Sequence, residues 1–191
     1  PNQTRDDLLK TNAGIITSVA AELKKVAPNA IVITVTNQVD AINYLMWKKT
    51  GFPRERVAGM SGVLDTARLH ALGFDGFVLG AHGDLMVPTE PIPPNSLKEL
   101  RAAGASVIEK KGATFYGPAV SINRMVYAIA NDTQEVLPCS CVLDGEYGLS
   151  GLSIGVPASL GADGIIPVEM DLPSEFAEAA EHIKKQIASL E

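Results

Sequence analysis

One histidine stands where a strand should stop. Residues 76–88 read GFVLGAHGDLMVP, and the apolar run Phe77-Val78-Leu79 gives way to glycine just ahead of His82. An imidazole at the tip of such a strand lies where ligands gather in open α/β sheets, and it exchanges a proton near neutral pH. Other groups also fall at element ends. Asp65 and Arg68, in LDTAR, start a helix and lie three residues apart, so they share one side of it. Asn37 follows the run AIVITVT, and Arg5 stands in the first turn of the first helix. Together these residues can oxidise a hydroxyl by loss of hydride. His82 is the base for the hydroxyl proton. Asp65, on the other ring nitrogen, would fix the tautomer and support the imidazolium. A 2-hydroxy acid also carries a carboxylate, which Arg68 could hold bidentately. Arg5 could stabilise the developing oxyanion, and Asn37 could bond the same oxygen or hold a cofactor. Each residue also has a plainer reading: His82 and Asn37 as turn residues, Asp65 as a helix N-cap, Arg68 and Arg5 as solvated charges.

These groups need elements to hold them. Thr4 can cap a helix whose first turn carries Asp6 and Asp7. Its apolar positions, from Leu8 and Leu9 to Val26, recur at helical spacing. AIVITVT is β-branched with little alternation, which predicts a strand buried on both faces in a parallel sheet and ending at Thr36-Asn37. VDAINYLMWKKTG reads as a helix closed by Gly51, VAGMSG as a short strand, and DTARLHAL as the next helix. After the His82 strand comes a proline-rich loop, then a helical stretch over about 96–130, broken near Gly112 and at Gly117-Pro118. EVLPCSCVL and LSIGVPASL form a hairpin, and a last helix runs over about 174–190. The fold class is α/β with an α+β second half.

The totals limit the possible functions. The 191 residues suit one domain or a large part of one. A net charge of −6, with both signs interspersed, leaves no basic patch for nucleic acid and no polybasic membrane segment. Nothing reads as a signal peptide or a spanning helix. Cys139 and Cys141 lie two apart on one strand face, too far for an unstrained disulfide, and two reduced thiols suit the cytoplasm. No ligand set with metal spacing surrounds His82 and Asp84.

The stretches TRDDLLKTNAGI, VTNQVDA, GVLDTARL, GAHGDLMVP, KGATFYGPAV, VLPCSCVLDGEYG and GVPASLG, in this order, resemble the lactate/malate dehydrogenase family, most closely its lactate-dehydrogenase-like malate dehydrogenases. The resemblance implies the second part of a Rossmann-type parallel sheet, residues 1–80, followed by a catalytic α+β domain, residues 81–191. It implies NAD-dependent oxidation of malate to oxaloacetate. His82 would be the acid/base with Asp65 as its partner, and Arg68 would bind the substrate carboxylate. Arg5 would be the second substrate-binding arginine. Asn37 would touch substrate and nicotinamide, Thr36 the cofactor, and Thr114 the pocket wall. It also implies a cytoplasmic homodimer or homotetramer. The alternatives are a lactate or other 2-hydroxy-acid dehydrogenase, or a truncated chain unable to bind NAD.

Departures accompany the likeness. No GxGxxG follows a strand, and the acidic ribose-binding residue is absent. The stretches 69–76 and 88–97 are shorter than in the family, which points to a fragment, a shortened variant, or a sequence closed up across gaps. Gln38 replaces the usual proline after Asn37, which should alter that turn.

Overall fold

The computed structural model describes residues 5–83 and 85–190, except for the side chains of Arg5 and Asp6. The cap expected at Thr4 and the loop residue Asp84 lie outside the described residues. The elements run α1 (Arg5–Val26), β1 (Val32–Thr34), α2 (Val39–Thr50), β2 (Val57–Gly59), α3 (Gly62–Ala71), β3 (Val78–Gly80), β4 (Met86–Pro88), α4 (Pro94–Lys111), α5 (Tyr116–Ala130), β5 (Glu135–Asp144), β6 (Ser150–Gly161), β7 (Gly164–Pro167) and α6 (Phe176–Ala188).

The seven strands form one mixed sheet in the order β1-β2-β5-β6-β3-β4, with β7 also on β6. Its parallel part is the pair β1–β2. The hairpin expected from EVLPCSCVL and LSIGVPASL is present as β5–β6, in register from Glu135 opposite Leu160 to Asp144 opposite Ser150. The strand that leads to His82 joins the antiparallel part: β3 pairs with β4, and with β6 at Gly80 opposite Gly155. That last contact depends on glycine. A Cβ on Gly155 would lie 2.7 Å from the Gly80 carbonyl oxygen, so a larger residue there would push the His82 strand off the hairpin.

Two expectations are corrected. β1 is not buried on both faces. Val32 and Ile33 are half-buried, only Thr34 is buried, and Val35 just past the strand is 47% exposed; β1 is an edge strand with β2 as its neighbour. The helical stretch does break at Gly112, the C-cap of α4, but α5 runs through Gly117-Pro118. Pro118 falls in the first turn of α5, where an N–H has no helical acceptor to lose.

The core lies between the hairpin and the helices. Leu137, Leu143, Leu152, Ile154 and Leu160 of the hairpin meet Ile42 of α2, Leu64 of α3 and Met125 of α5. α6 adds Phe176, Ala179, Ala180, Ile183 and Ile187 from one face. Each fully buried leucine or isoleucine contributes roughly 1.5–3 kcal/mol. Cys139 and Cys141 are buried and unbonded, with their sulfurs 3.8 Å apart. Among the described residues, no helix is long and apolar enough to cross a membrane.

Candidate active site

The tips of β1, β2 and β3 open onto one cleft. β2 ends at Gly59, and Ser61 then takes the N-cap position of α3. Asp65 is therefore not the cap. It lies one turn inside the helix, where its side chain is 2% exposed. The helix face that carries Asp65 also carries Arg68, and both meet His82 beyond the end of β3. His82 Nδ1–H donates to Asp65 Oδ2 at 2.6 Å. Arg68 Nη1 donates to Asp65 Oδ1 at 3.0 Å. One carboxylate thus orients both the imidazole and the guanidinium. Arg68 is only 18% exposed at its side chain, which rules out a freely solvated charge.

The Asp65 bond fixes the chemistry of His82. With its proton on Nδ1, a neutral imidazole leaves Nε2 free to accept another. Burial alone would lower the pKa of His82. The Asp65 charge, the Asp65 hydrogen bond and the Asp40 charge outweigh burial and the opposing Arg68, so the imidazole titrates above its ordinary 6.5.

The cleft has a volume of about 520 Å³ and is lined by Val35, Thr36, Asn37, Met60, Leu64, Arg68, His82, Arg101, Gly104 and Thr114, among others. The structure thus brings Thr36, Asn37, Arg68, His82 and Thr114 to one space, with Asp65 behind the imidazole. Arg5 opens α1, but its side chain lies outside the described residues. α4 comes close to Arg68 at Gly104, where an added Cβ would lie 3.3 Å from Arg68 Nη2. Gln38 takes a left-handed conformation, φ 52 and ψ 44, which the ring of a proline forbids. A proline could not take this turn unchanged.

Sequence reasoning missed two cleft residues and one supporting residue. Arg101 lines the cleft and donates to the Met86 carbonyl at 3.2 Å. Its only sequence signal is that of a charge on a helix. Met60 stands in the VAGMSG stretch, without polarity to mark it. Asp40, at the start of α2, accepts the His82 backbone N–H at 3.0 Å. Its position in a first helical turn suggests only a dipole partner. A second cavity of about 300 Å³ lies on the other side of His82, against Leu8, Asp40, His182 and Gln186.

Comparison with known proteins bears on the whole chain. Residues 1–59 match the family description "lactate/malate dehydrogenase, NAD binding domain", and residues 95–190 match "lactate/malate dehydrogenase, alpha/beta C-terminal domain". A malate dehydrogenase of Halalkalibacterium halodurans is 39% identical over the whole chain and 71% of its own length. The chain belongs to the lactate/malate dehydrogenase family. This is a family of oxidoreductases, and the likeness to malate dehydrogenases extends to solved structures. The malate dehydrogenase of Archaeoglobus fulgidus, solved with NADH, superposes with a TM-score of 0.95 at 35% identity, over the whole chain and 71% of that protein. A minor L-lactate dehydrogenase of Enterococcus mundtii gives 0.90 at 30% identity, over the whole chain and 73% of that protein. The alignment with the H. halodurans enzyme runs over 223 positions. That exceeds the 191 residues of the chain, so the alignment contains gaps. Asp65, Arg68 and His82 fall between the two matched segments.

Proposed function

We propose that the protein is an NAD-dependent malate dehydrogenase in which His82 moves the hydroxyl proton. The observation that carries this reading is the Asp65 carboxylate shared by His82 and Arg68 at the edge of one cleft. In malate oxidation, His82 Nε2 accepts the C2 hydroxyl proton as the carbon becomes a carbonyl. Asp65 holds the ring and stabilises the imidazolium that forms. Arg68 keeps its Nη2 and Nε for the substrate carboxylate, and each charge-assisted bond is worth roughly 1.5–3 kcal/mol. Asn37 bonds the substrate oxygen, Thr114 closes the pocket beside it, and Arg5 supplies a second cation to the substrate. In oxaloacetate reduction, the His82 imidazolium returns the proton.

The residues present fit the nicotinamide end of the cofactor. Val35, Met60 and Leu64 give the cleft an apolar wall next to Thr36 and Asn37, and a flat ring can lie against it. NAD, when bound, supplies the hydride acceptor. The match of residues 1–59 to an NAD-binding domain and the NADH complex of the A. fulgidus relative support this cofactor. In the same reading, residues 1–80 are the remainder of the dinucleotide-binding domain and 81–191 the catalytic domain. The reading also implies a cytoplasmic homo-oligomer. Ile15 and Val19 of α1 and Tyr116, Val120 and Tyr127 of α5 stay exposed in the single chain and are available for contact with a second copy.

The E. mundtii neighbour keeps lactate dehydrogenase as the second reading. Rates of NADH oxidation with oxaloacetate and with pyruvate separate the two. The proposal expects the higher kcat/KM with oxaloacetate; a preference for pyruvate overturns it in favour of the second.

A further inference from the structure

Among the described residues two acidic side chains are buried, Asp65 and Asp40. The reaction above uses only the first. Asp40 Oδ2 accepts the His82 backbone N–H at 3.0 Å, and its Oδ1 accepts the Ser140 hydroxyl at 2.6 Å. Ser140 Oγ lies 2.9 Å from Ser153 Oγ, and Ser153 Oγ accepts Asn43 Nδ2 at 2.9 Å. Asn43, Ser140 and Ser153 are each 0% exposed, so water does not supply alternative partners from bulk.

The direction of this chain is fixed at its far end. Asn43 Nδ2 also donates to the Ser140 backbone carbonyl at 3.2 Å. A carbonyl only accepts, so the amide nitrogen, not its oxygen, faces the hairpin. Ser153 therefore accepts from Asn43 and has its own proton available for Ser140, whose hydroxyl donates to Asp40. In this arrangement the protons of the chain run toward the carboxylate, and the His82 N–H on the other oxygen can only donate. Burial is the strongest influence and leaves the pKa of Asp40 above the ordinary 3.8, while the Ser140 hydroxyl and then the His82 amide pull it back down. The donor chain thus favours the charged form against burial.

We propose that Asp40 is a positioning residue for His82: an anion, held by the Asn43–Ser153–Ser140 chain, that anchors the His82 backbone and favours the imidazolium form of its ring. This rests on the reading of His82 as the acid/base. Among the described residues, the charged and titratable side chains around His82 are Asp65 and Arg68 from α3, Asp40 from α2, Arg101 from α4 and His182 from α6. The two aspartates favour the imidazolium, and Arg68 opposes it. Asp40 also ties the strand tip to the hairpin, because its two oxygens bridge β3 to β5.

The test is an NMR titration of the three histidines in the whole protein, with H82N assigning the His82 signal. In D40N the new amide oxygen still accepts the His82 N–H, so the geometry is kept and the charge is lost. The His82 midpoint should then fall by about half a pH unit or more, roughly a threefold loss of proton affinity. His70, whose Nε2 lies 3.0 Å from the Gly76 carbonyl oxygen, serves as the control and should not move. A His82 midpoint that stays in place in D40N overturns the proposal. If D40N does not fold, the wild-type protein decides. The Asp40 Cγ signal should remain that of a carboxylate throughout the range in which His82 takes up its proton. Protonation of Asp40 at or above the His82 midpoint overturns the proposal. Turnover retained in H82N would overturn the acid/base reading itself. An inactive H82N beside an unmoved titration in D40N overturns the Asp40 assignment alone.

Discussion

Two buried carboxylates meet His82 from different helices, and they do different work. Asp65 on α3 binds the ring, Asp40 on α2 the backbone. Their exposures are nearly equal, 1% and 3%. Their partners are not. Asp65 shares its oxygens between two groups that line the cleft, His82 and Arg68. Asp40 is held from behind by a chain of hydroxyls that never reaches the cleft. Burial alone does not mark a catalytic carboxylate. What separates the two is whether the second oxygen faces the cleft or the core.

That contrast can be broken most severely at the residue both carboxylates hold. His82→Asn should lower turnover by roughly 10²–10⁴-fold, since it removes the proton carrier. The protein should still fold, because His82 lies at a strand tip rather than in the core; circular dichroism and thermal unfolding would check this. A variant with wild-type turnover would remove His82 from the mechanism.

A smaller effect is expected from the α3 side. Asp65→Asn takes away a charge-assisted bond worth roughly 1.5–3 kcal/mol, which corresponds to about 10–100-fold in kcat/KM. The His82 midpoint should also drop, because the Asp65 charge is the main influence raising it. Stability should follow the same bond. A histidine whose folded pKa is raised contributes fully below its unfolded value of about 6.5, and the contribution fades as pH rises through the folded value. Thermal unfolding of the wild type should therefore lose stability between those two values, and D65N should show a flatter profile. Equal pH profiles in the two proteins would contradict the pairing.

The smallest effect belongs to the hidden chain. Ser140→Ala removes the hydroxyl donor to Asp40 and should cost about 1 kcal/mol of stability or somewhat more, since a buried carboxylate loses a partner. Denaturant unfolding would read this. Turnover in malate oxidation at a pH well above the His82 midpoint, where the imidazole is already neutral, should change little. A loss of turnover as large as that in D65N would erase the distinction between the two carboxylates.

The sequence makes one side of this comparison legible and hides the other. Asp65 and Arg68 are three residues apart, and His82 follows a strand-like run that ends in glycine, so local rules reveal all three. Thr114 and Thr36 have no such local mark; only likeness to the family brings them forward. Asp40 meets His82 across 42 residues and Ser140 across 100. No periodicity encodes contacts of that range. The same holds for the sheet. A β-branched run shows that β1 is a strand, but not that it is an edge strand with half-exposed faces. The place of β3 beside the hairpin rests on Gly80 against Gly155, 75 residues away in sequence. Pro118 misleads in a different way, because a proline breaks a helix only beyond its first turn.

The most direct test of His82 as the acid/base is kcat/KM against pH in both directions of the reaction. Malate oxidation needs the neutral imidazole, and oxaloacetate reduction needs the imidazolium. The first should rise and the second should fall through a common midpoint above 6.5, the direction in which Asp65 and Asp40 shift His82. Profiles that rise or fall together, or a common midpoint below 6.5, would contradict the account.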